Sequence, residues 1–169
     1  MSIVGELSYF FGLQVKQTDD GLFISQSKYA KDLVNRFGLD SKKHTKTSMS
    51  TSVKLDHDLT GKSANQIMYR SMIGSLLYLI VNRPDITFSV GLCASFQADP
   101  KESHLSAVRR IIRYVNGTVD HGISYSRDSN LDPGGYSNVD WTENADDRKK
   151  TSDGCFYFGS NLVSWMSKK

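Results

Sequence analysis

Leu7-Ser8-Tyr9-Phe10-Phe11-Gly12-Leu13-Gln14-Val15-Lys16-Gln17-Thr18-Asp19-Asp20-Gly21-Leu22-Phe23-Ile24-Ser25-Gln26-Ser27 is the stretch on which the reading of the fold turns. Two runs rich in aromatic and β-branched residues flank Thr18-Asp19-Asp20-Gly21. Asp-Gly between such runs signals a hairpin, because glycine supplies the positive φ that a tight turn demands. The pattern predicts a hairpin over about 7–25. Ser25 or Ser27 then caps a short helix of roughly 27–37, in which Tyr29, Leu33 and Phe37 fall four apart on one face before Gly38 closes it. The chain opens as a β-hairpin leading into an amphipathic helix.

Outward from there, residues 39–65 turn to Ser, Thr, Lys, His and Asp without a period, which predicts a mobile linker or surface segment. Tyr69, Met72, Ile73, Leu76, Leu77 and Ile80 then follow the spacing of a helix with one buried face. Ser71, Gly74 and Ser75 are small enough to admit a neighbouring helix. Asn82-Arg83-Pro84 ends that helix, and Pro84 suits the first turn of another over about 84–97. Asp99-Pro100 introduces a third helix that runs to Asn116-Gly117, with Leu105, Val108, Ile111, Ile112 and Val115 on one side. Arg109, Arg110 and Arg113 lie within roughly 100° of each other on another side, at about 100° per residue. Such a stripe reads either as a contact for phosphate backbone or as a solvated helix face.

Beyond Gly117 the pattern changes to short strands near 121–126, 135–141, 153–159 and 162–166, the last two joined by Gly159-Ser160-Asn161. The expected architecture is therefore α+β, ending in a four-stranded meander. An antiparallel set followed by nothing leaves a face and an edge uncovered, so further chain is expected beyond Lys169. With 169 residues, 38% apolar and 23% charged, the composition is that of a soluble globular protein. No run reaches the ~18 apolar residues of a spanning helix, and Met1-Ser2-Ile3-Val4-Gly5 does not open a signal peptide, so no membrane contact and an intracellular location are expected. Cys93 and Cys155 match no metal spacing and read as reduced thiols. His44, His57, His104 and His121 are widely separated and read as surface residues. Gly61-Lys62-Ser63 lacks the strand and upstream glycine of a phosphate loop, and no serine sits in a nucleophile elbow. The net charge of +3 is uneven: residues 1–84 carry 11 Lys+Arg against 7 Asp+Glu, and residues 85–169 carry 10 against 11. The basic first half points to a polyanionic partner on that side, or to ordinary solubilising charge.

Several blocks carry a family resemblance: Tyr9-Phe10-Phe11-Gly12-Leu13-Gln14-Val15, Ser25-Gln26-Ser27-Lys28-Tyr29-Ala30, Tyr69-Arg70-Ser71-Met72-Ile73-Gly74-Ser75-Leu76-Leu77-Tyr78-Leu79, Arg83-Pro84-Asp85-Ile86 and Arg113-Tyr114-Val115-Asn116-Gly117-Thr118. With Tyr136-Ser137-Asn138-Val139-Asp140-Trp141 and Asp147-Arg148-Lys149-Lys150-Thr151-Ser152, they resemble, in order and over essentially the whole chain, the Pol polyprotein of copia-type LTR retrotransposons. The resemblance implies the end of a reverse transcriptase, its thumb and connection (1–127), followed by the start of a ribonuclease H-like domain (128–169) with an incomplete antiparallel meander. The family's polymerase site, a Tyr-Val-Asp-Asp strand and an upstream aspartate, has no match. Asp19-Asp20 lies in a hairpin turn and Asp146-Asp147 in a charged loop, neither flanked by an apolar strand.

The resemblance makes Phe10, Phe11 and Gly12 a primer-grip-like turn, although the family usually has Leu where Phe11 stands. Aromatic and glycine residues suit close approach to a sugar-phosphate backbone, but they also suit a core. Lys16, Lys28, Arg109, Arg110 and Arg113 complete the candidate contacts with an RNA/DNA hybrid or duplex. Ribonuclease H chemistry needs several carboxylates around two metal ions about 3.5–4 Å apart. At the family's first aspartate this chain has Asn138, which supplies no charge for magnesium, while Asp140, two residues on, falls on the same face. Trp141-Thr142-Glu143 replaces the usual Trp-Ala-Gly, Lys150 and Asp153 replace a Ser and a Gly, and the family's glutamate-bearing helix has no counterpart. The expectation is a fragment or relic without a catalytic centre or cofactor of its own, working if at all with the rest of a Pol polyprotein. The alternative is a non-catalytic module that grips nucleic-acid backbone.

Overall fold

The structure, a computed structural model, describes residues 8–41, 43–50, 55–130, 132–140 and 151–168. Two hairpins open it where a single one over 7–25 was expected. Strand β1 (Tyr9–Phe10) turns through Phe11-Gly12 into β2 (Leu13–Thr18), which turns through Asp19-Asp20 into β3 (Gly21–Ser25). Phe11 and Gly12 have φ of 48° and 80°. Left-handed geometry at both central residues gives the turn whose twist matches that of the strands it joins. The second turn follows the Asp-Gly reading: Gly21 has φ 149°, and the Thr18 hydroxyl donates to its carbonyl at 3.1 Å.

Helix α1 (Ser27–Arg36) starts at Gln26 with no side-chain cap, so neither Ser25 nor Ser27 plays the expected role. Its first turn is tied to the sheet by the Lys28 N–H, which donates to Gln14 Oε1 at 2.9 Å. At the other end Gly38, φ 63°, lets the N–H of Leu39 reach Val34 O at 3.1 Å and its own N–H reach Asn35 O at 3.0 Å, a Schellman closure. Helix α2 (Gln66–Leu79) is capped by Asn65, whose side chain accepts from the Met68 N–H at 3.0 Å. It buries Tyr69, Met72, Ile73, Leu76 and Leu79; Leu77, expected inside, is 43% exposed. Gly74 faces open space, so the expected close helix contact there does not form. The next helix is shorter than the expected 84–97. Pro84–Ile86 forms a 3-10 turn, and α3 covers only Thr87–Ala94.

Helix α4 (Glu102–Gly117) is the centre of the helical layer, touching α1, α2 and α3. Leu105, Val108, Ile111, Ile112 and Val115 are all buried, as their spacing predicts. His104 is a correction: it is 1% exposed and stacked on Phe96 at 4.1 Å. Its Nδ1 accepts from the Lys101 N–H at 3.0 Å, which leaves Nε2 to donate to Asp56 O at 2.7 Å. The other three histidines are exposed. Residues 39–65 have no helix or long strand among those described, yet they do not stand free. Asn116 donates to Leu39 O and Asp40 O, Thr45 donates to Arg110 O at 3.2 Å, and Ser48 meets Ser89 of α3 at 2.7 Å. This strap runs along α4 and bonds the Arg110 carbonyl and the Asn116 side chain on that side.

After α4, strand β4 (Gly122–Ser126) returns to pair antiparallel with β3, Ile24 opposite Ile123, completing a sheet ordered β1-β2-β3-β4. The expected four-strand meander is therefore three-stranded: β5 (Pro133–Asp140), β6 (Thr151–Phe158) and β7 (Asn161–Lys168). The Asn161 side chain bridges to the Ser126 backbone in both directions, at 2.7 and 3.1 Å, tying β7 to β4. Strand β7 also packs on α3. Phe156 and Met166 are each 51% exposed on the sheet's other side. No helix among the described residues is long and apolar enough to cross a membrane. Trp141, Glu143, Asp146-Asp147 and Lys150 lie outside the described residues.

Candidate nucleic-acid interface

The turn at Phe11-Gly12 presents its aromatics to solvent: Phe11 is 83% exposed, and its ring meets that of Phe10 edge to face at 4.5 Å. What holds the turn is Tyr78, which is not among the candidate contacts named from the sequence. Its hydroxyl donates to the Phe11 carbonyl at 2.9 Å, and its ring meets Tyr29 edge to face at 4.7 Å. A side chain at Gly12 would collide with the Tyr78 hydroxyl, so glycine is required both for its φ and for this approach. The signal available in the sequence was a large aromatic off the apolar spacing of α2. Tyr9 and Tyr78 are also about half exposed, so the tip is an aromatic platform pinned to a helix end. Lys16 on β2 and Lys28 on α1 are exposed near it in the chain.

The arginines form a second group. Arg109, Arg110 and Arg113 are each half-buried rather than lying on an open stripe. Arg110 donates through Nη2 to Thr47 Oγ1 at 2.9 Å, so the strap covers part of this side of α4. The strap supplies two lysines of its own, Lys43 and Lys46. Lys43, His44 and Lys46 line an open groove of about 750 Å³ with Tyr114, Gly117 and Thr118. In sequence these three belong to the unpatterned stretch 39–65, where nothing in their spacing places them beside α4. Among the hydrogen bonds and ring contacts of the described residues, none joins this group to the aromatic turn.

The Arg83-Pro84-Asp85-Ile86 block is a structural clip. Arg83, 2% exposed, grips Asp85 through two bonds of 2.8 and 2.7 Å and Thr118 through its carbonyl at 3.0 Å and hydroxyl at 2.7 Å. Burial alone would raise the Asp85 carboxyl, but the hydrogen bonds and charge of Arg83 outweigh it and hold the group below the usual carboxylate range. The clip fastens the corner between α2 and α3 to the end of α4.

In the second sheet, Asn138 pairs with Asp153 and Asp140 with Thr151. Asp153 has a buried Oδ1 without a hydrogen-bond partner among the described residues. Among the described residues no group of three or more His, Cys, Asp or Glu side chains is placed to hold a metal ion.

No family model and no solved structure matches the chain. Curated proteins do. The chain is 38% identical, over 97% of its length, to the retrovirus-related Pol polyprotein from transposon RE1 of Arabidopsis thaliana. It is 32% identical over its full length to 70% of an uncharacterized mitochondrial protein of the same plant. The chain is a homologue of copia-type retrotransposon Pol polyproteins. It spans only 11% of the RE1 polyprotein's length. This copia-type homologue is also 36% identical, over 61% of its length, to 73% of a secreted RxLR effector protein of Plasmopara viticola. Relatives thus include proteins of quite different description.

Proposed function

We infer that the chain corresponds to the end of a reverse transcriptase, thumb and connection, together with the start of a ribonuclease H-like domain. In this reading it carries no polymerase or nuclease centre and acts as a sequence-independent grip on the backbone of an RNA/DNA hybrid or duplex. The carrying observation is the Phe11-Gly12 turn: exposed aromatics on a left-handed turn, clamped by Tyr78, form a rigid platform that suits stacking or close backbone approach. The cations of the strap and of α4 supply the charge for phosphate contact. Asn138, at the family's first metal-binding aspartate, supports the absence of nuclease activity.

The test is fluorescence anisotropy with a labelled RNA/DNA hybrid over a salt series. A grip of a few phosphates gives an affinity that falls with salt, with a log–log slope near −0.9 per contact. No salt-sensitive binding at micromolar protein refutes the grip. Magnesium- or manganese-dependent cleavage of the same hybrid, lost in Asp140→Ala, refutes the non-catalytic reading.

A further inference from the structure

Strand alternation and register gather aromatic rings and one carboxylate on a single face of the second sheet. Asp153, Cys155 and Tyr157 alternate along β6 and share that face, and Cys155 stands opposite Tyr136 of β5 on one side and Trp165 of β7 on the other. Helix α3 packs on β7 and brings Phe88 to the same place, forming an open groove of about 470 Å³ lined by these residues. Tyr136 and Trp165 are two strands apart, about 10 Å at the spacing of a sheet, so a group midway lies about 5 Å from each. That is inside the ~6 Å over which an aromatic face attracts a cation. The rings of Tyr136 and Tyr157 meet at 81° with centroids 5.9 Å apart. Perpendicular walls suit a rounded group, whereas a flat base stacks on a parallel one. The electrostatics point the same way. No Lys, Arg or His lines the groove, and among the described residues Asp153 is paired with no cation. Its Oδ1 is occluded and cannot touch a ligand, but a carboxylate charge acts through the wall without contact.

We propose that this groove is an aromatic cage for a trimethylated lysine on a partner peptide. A trimethylammonium group has no N–H to donate, so it needs no acceptor, and it gains from the ring faces and from the Asp153 charge. The lining selects the source. A choline headgroup carries a phosphate beside its ammonium, and the groove offers no cation to receive one, whereas the four methylenes of a lysine stem suit the flank of Pro84 and Phe88. A lysine-rich segment also meets less repulsion here than on the first half of the chain, since residues 85–169 carry 10 Lys+Arg against 11 Asp+Glu. The site goes beyond the backbone grip and works without nucleic acid.

Acetyl-trimethyllysine amide titrated into the full chain, with its N-methyl proton signal followed by NMR, reads the cage directly, because ring faces move that signal upfield. A saturable upfield shift is expected, and its absence overturns the proposal. Unmethylated lysine, more strongly hydrated, and the uncharged isostere with carbon in place of the quaternary nitrogen should each bind at least roughly tenfold more weakly. Equal binding of the isostere would show a merely apolar groove and overturns the cage. Tyr136→Ala, at a position 70% exposed, should weaken the probe about fivefold or more, and Tyr136→Phe, which keeps the ring, should retain it. Asp153→Asn should weaken the probe and leave the isostere unchanged; equal loss of both overturns the role given to the charge. Phosphocholine binding more tightly than the probe, or a mononucleotide displacing it at equal concentration, overturns the assignment to a lysine. Salt-sensitive hybrid binding without the methyl shift refutes the cage and leaves the grip, and the shift without hybrid binding does the reverse.

Discussion

Replacing Phe11 by Asn should stabilise the protein while weakening its hold on nucleic acid. Phe11 sits at φ 48°, a conformation that disfavours most L-residues by roughly 1–2 kcal/mol but that Asn adopts readily. Asn-Gly is moreover the preferred pair for this turn. Little packing is lost in exchange. The side chain is 83% exposed and its described ring contact is with Phe10, so ~0.5 kcal/mol covers the loss. The bond from Tyr78 reaches the Phe11 carbonyl and survives the substitution. The net expectation is a gain of about 0.5–1.5 kcal/mol, which for a chain of this size raises Tm by about 1–6 °C. Base stacking on an aromatic is worth roughly 1–3 kcal/mol, so hybrid affinity should fall about five- to 150-fold. Thermal unfolding and anisotropy on the same preparation read both effects. A Tm lowered by several degrees would show that the ring is structural, and unchanged affinity would show that it does not touch nucleic acid. Either result refutes the view that strain at this turn is retained for binding.

Asp85→Asn should destabilise by about 3 kcal/mol at neutral pH, because it leaves the buried Arg83 without its countercharge. Since Arg83 lowers the Asp85 carboxyl in the folded state, the stability it contributes is present above the unfolded value near pH 4 and is lost as pH falls through the folded value. Chemical unfolding at pH 7 and at pH 3 should therefore show the gap to the variant narrowing; a constant gap would rule out the ionised pair as its source. Ile112→Ala, at a fully buried position of α4, should cost about 2–5 kcal/mol in urea unfolding, and a loss under 1 would place that residue outside the core. Tyr78→Phe removes one hydrogen bond at a half-exposed site and should cost no more than about 1 kcal/mol. Its mark should instead be faster amide exchange at Leu13, and unchanged exchange there would mean the turn holds itself.

Where spacing alone decides which side of an element is buried, the sequence was a sufficient guide. The five apolar residues of α4 are all inside, the Asp-Gly turn closes β2 on β3, and Gly38 ends α1. The same logic failed at Leu77 because α2 rotates its buried face toward Leu79, an adjustment set by its neighbours and not by its own period. His104 was misread for a related reason. An isolated histidine carries no periodic signal, and only the approach of Asp56 from the strap and of Phe96 from the end of α3 makes it a satisfied core residue. The family motifs located the aromatic turn, yet the clamp from Tyr78 joins residues 67 apart and could not be read locally.

The chain opened on a β-rich run followed by a helix, and local physics was enough to specify both: alternation, turn glycines and amphipathic spacing act within a few residues. Tertiary structure decided the partners. It sent β4 back across four helices to β3 rather than on to the strands that follow it, since an unpaired edge beside β3 is relieved by whichever strand the packed helices bring to it. It also turned an open arginine stripe into a partly covered one by laying a polar strap along α4, where side-chain hydrogen bonds from Thr45 and Ser48 and into Thr47 add to the burial of Leu39 and the packing of Leu55 in securing a segment that has no apolar period.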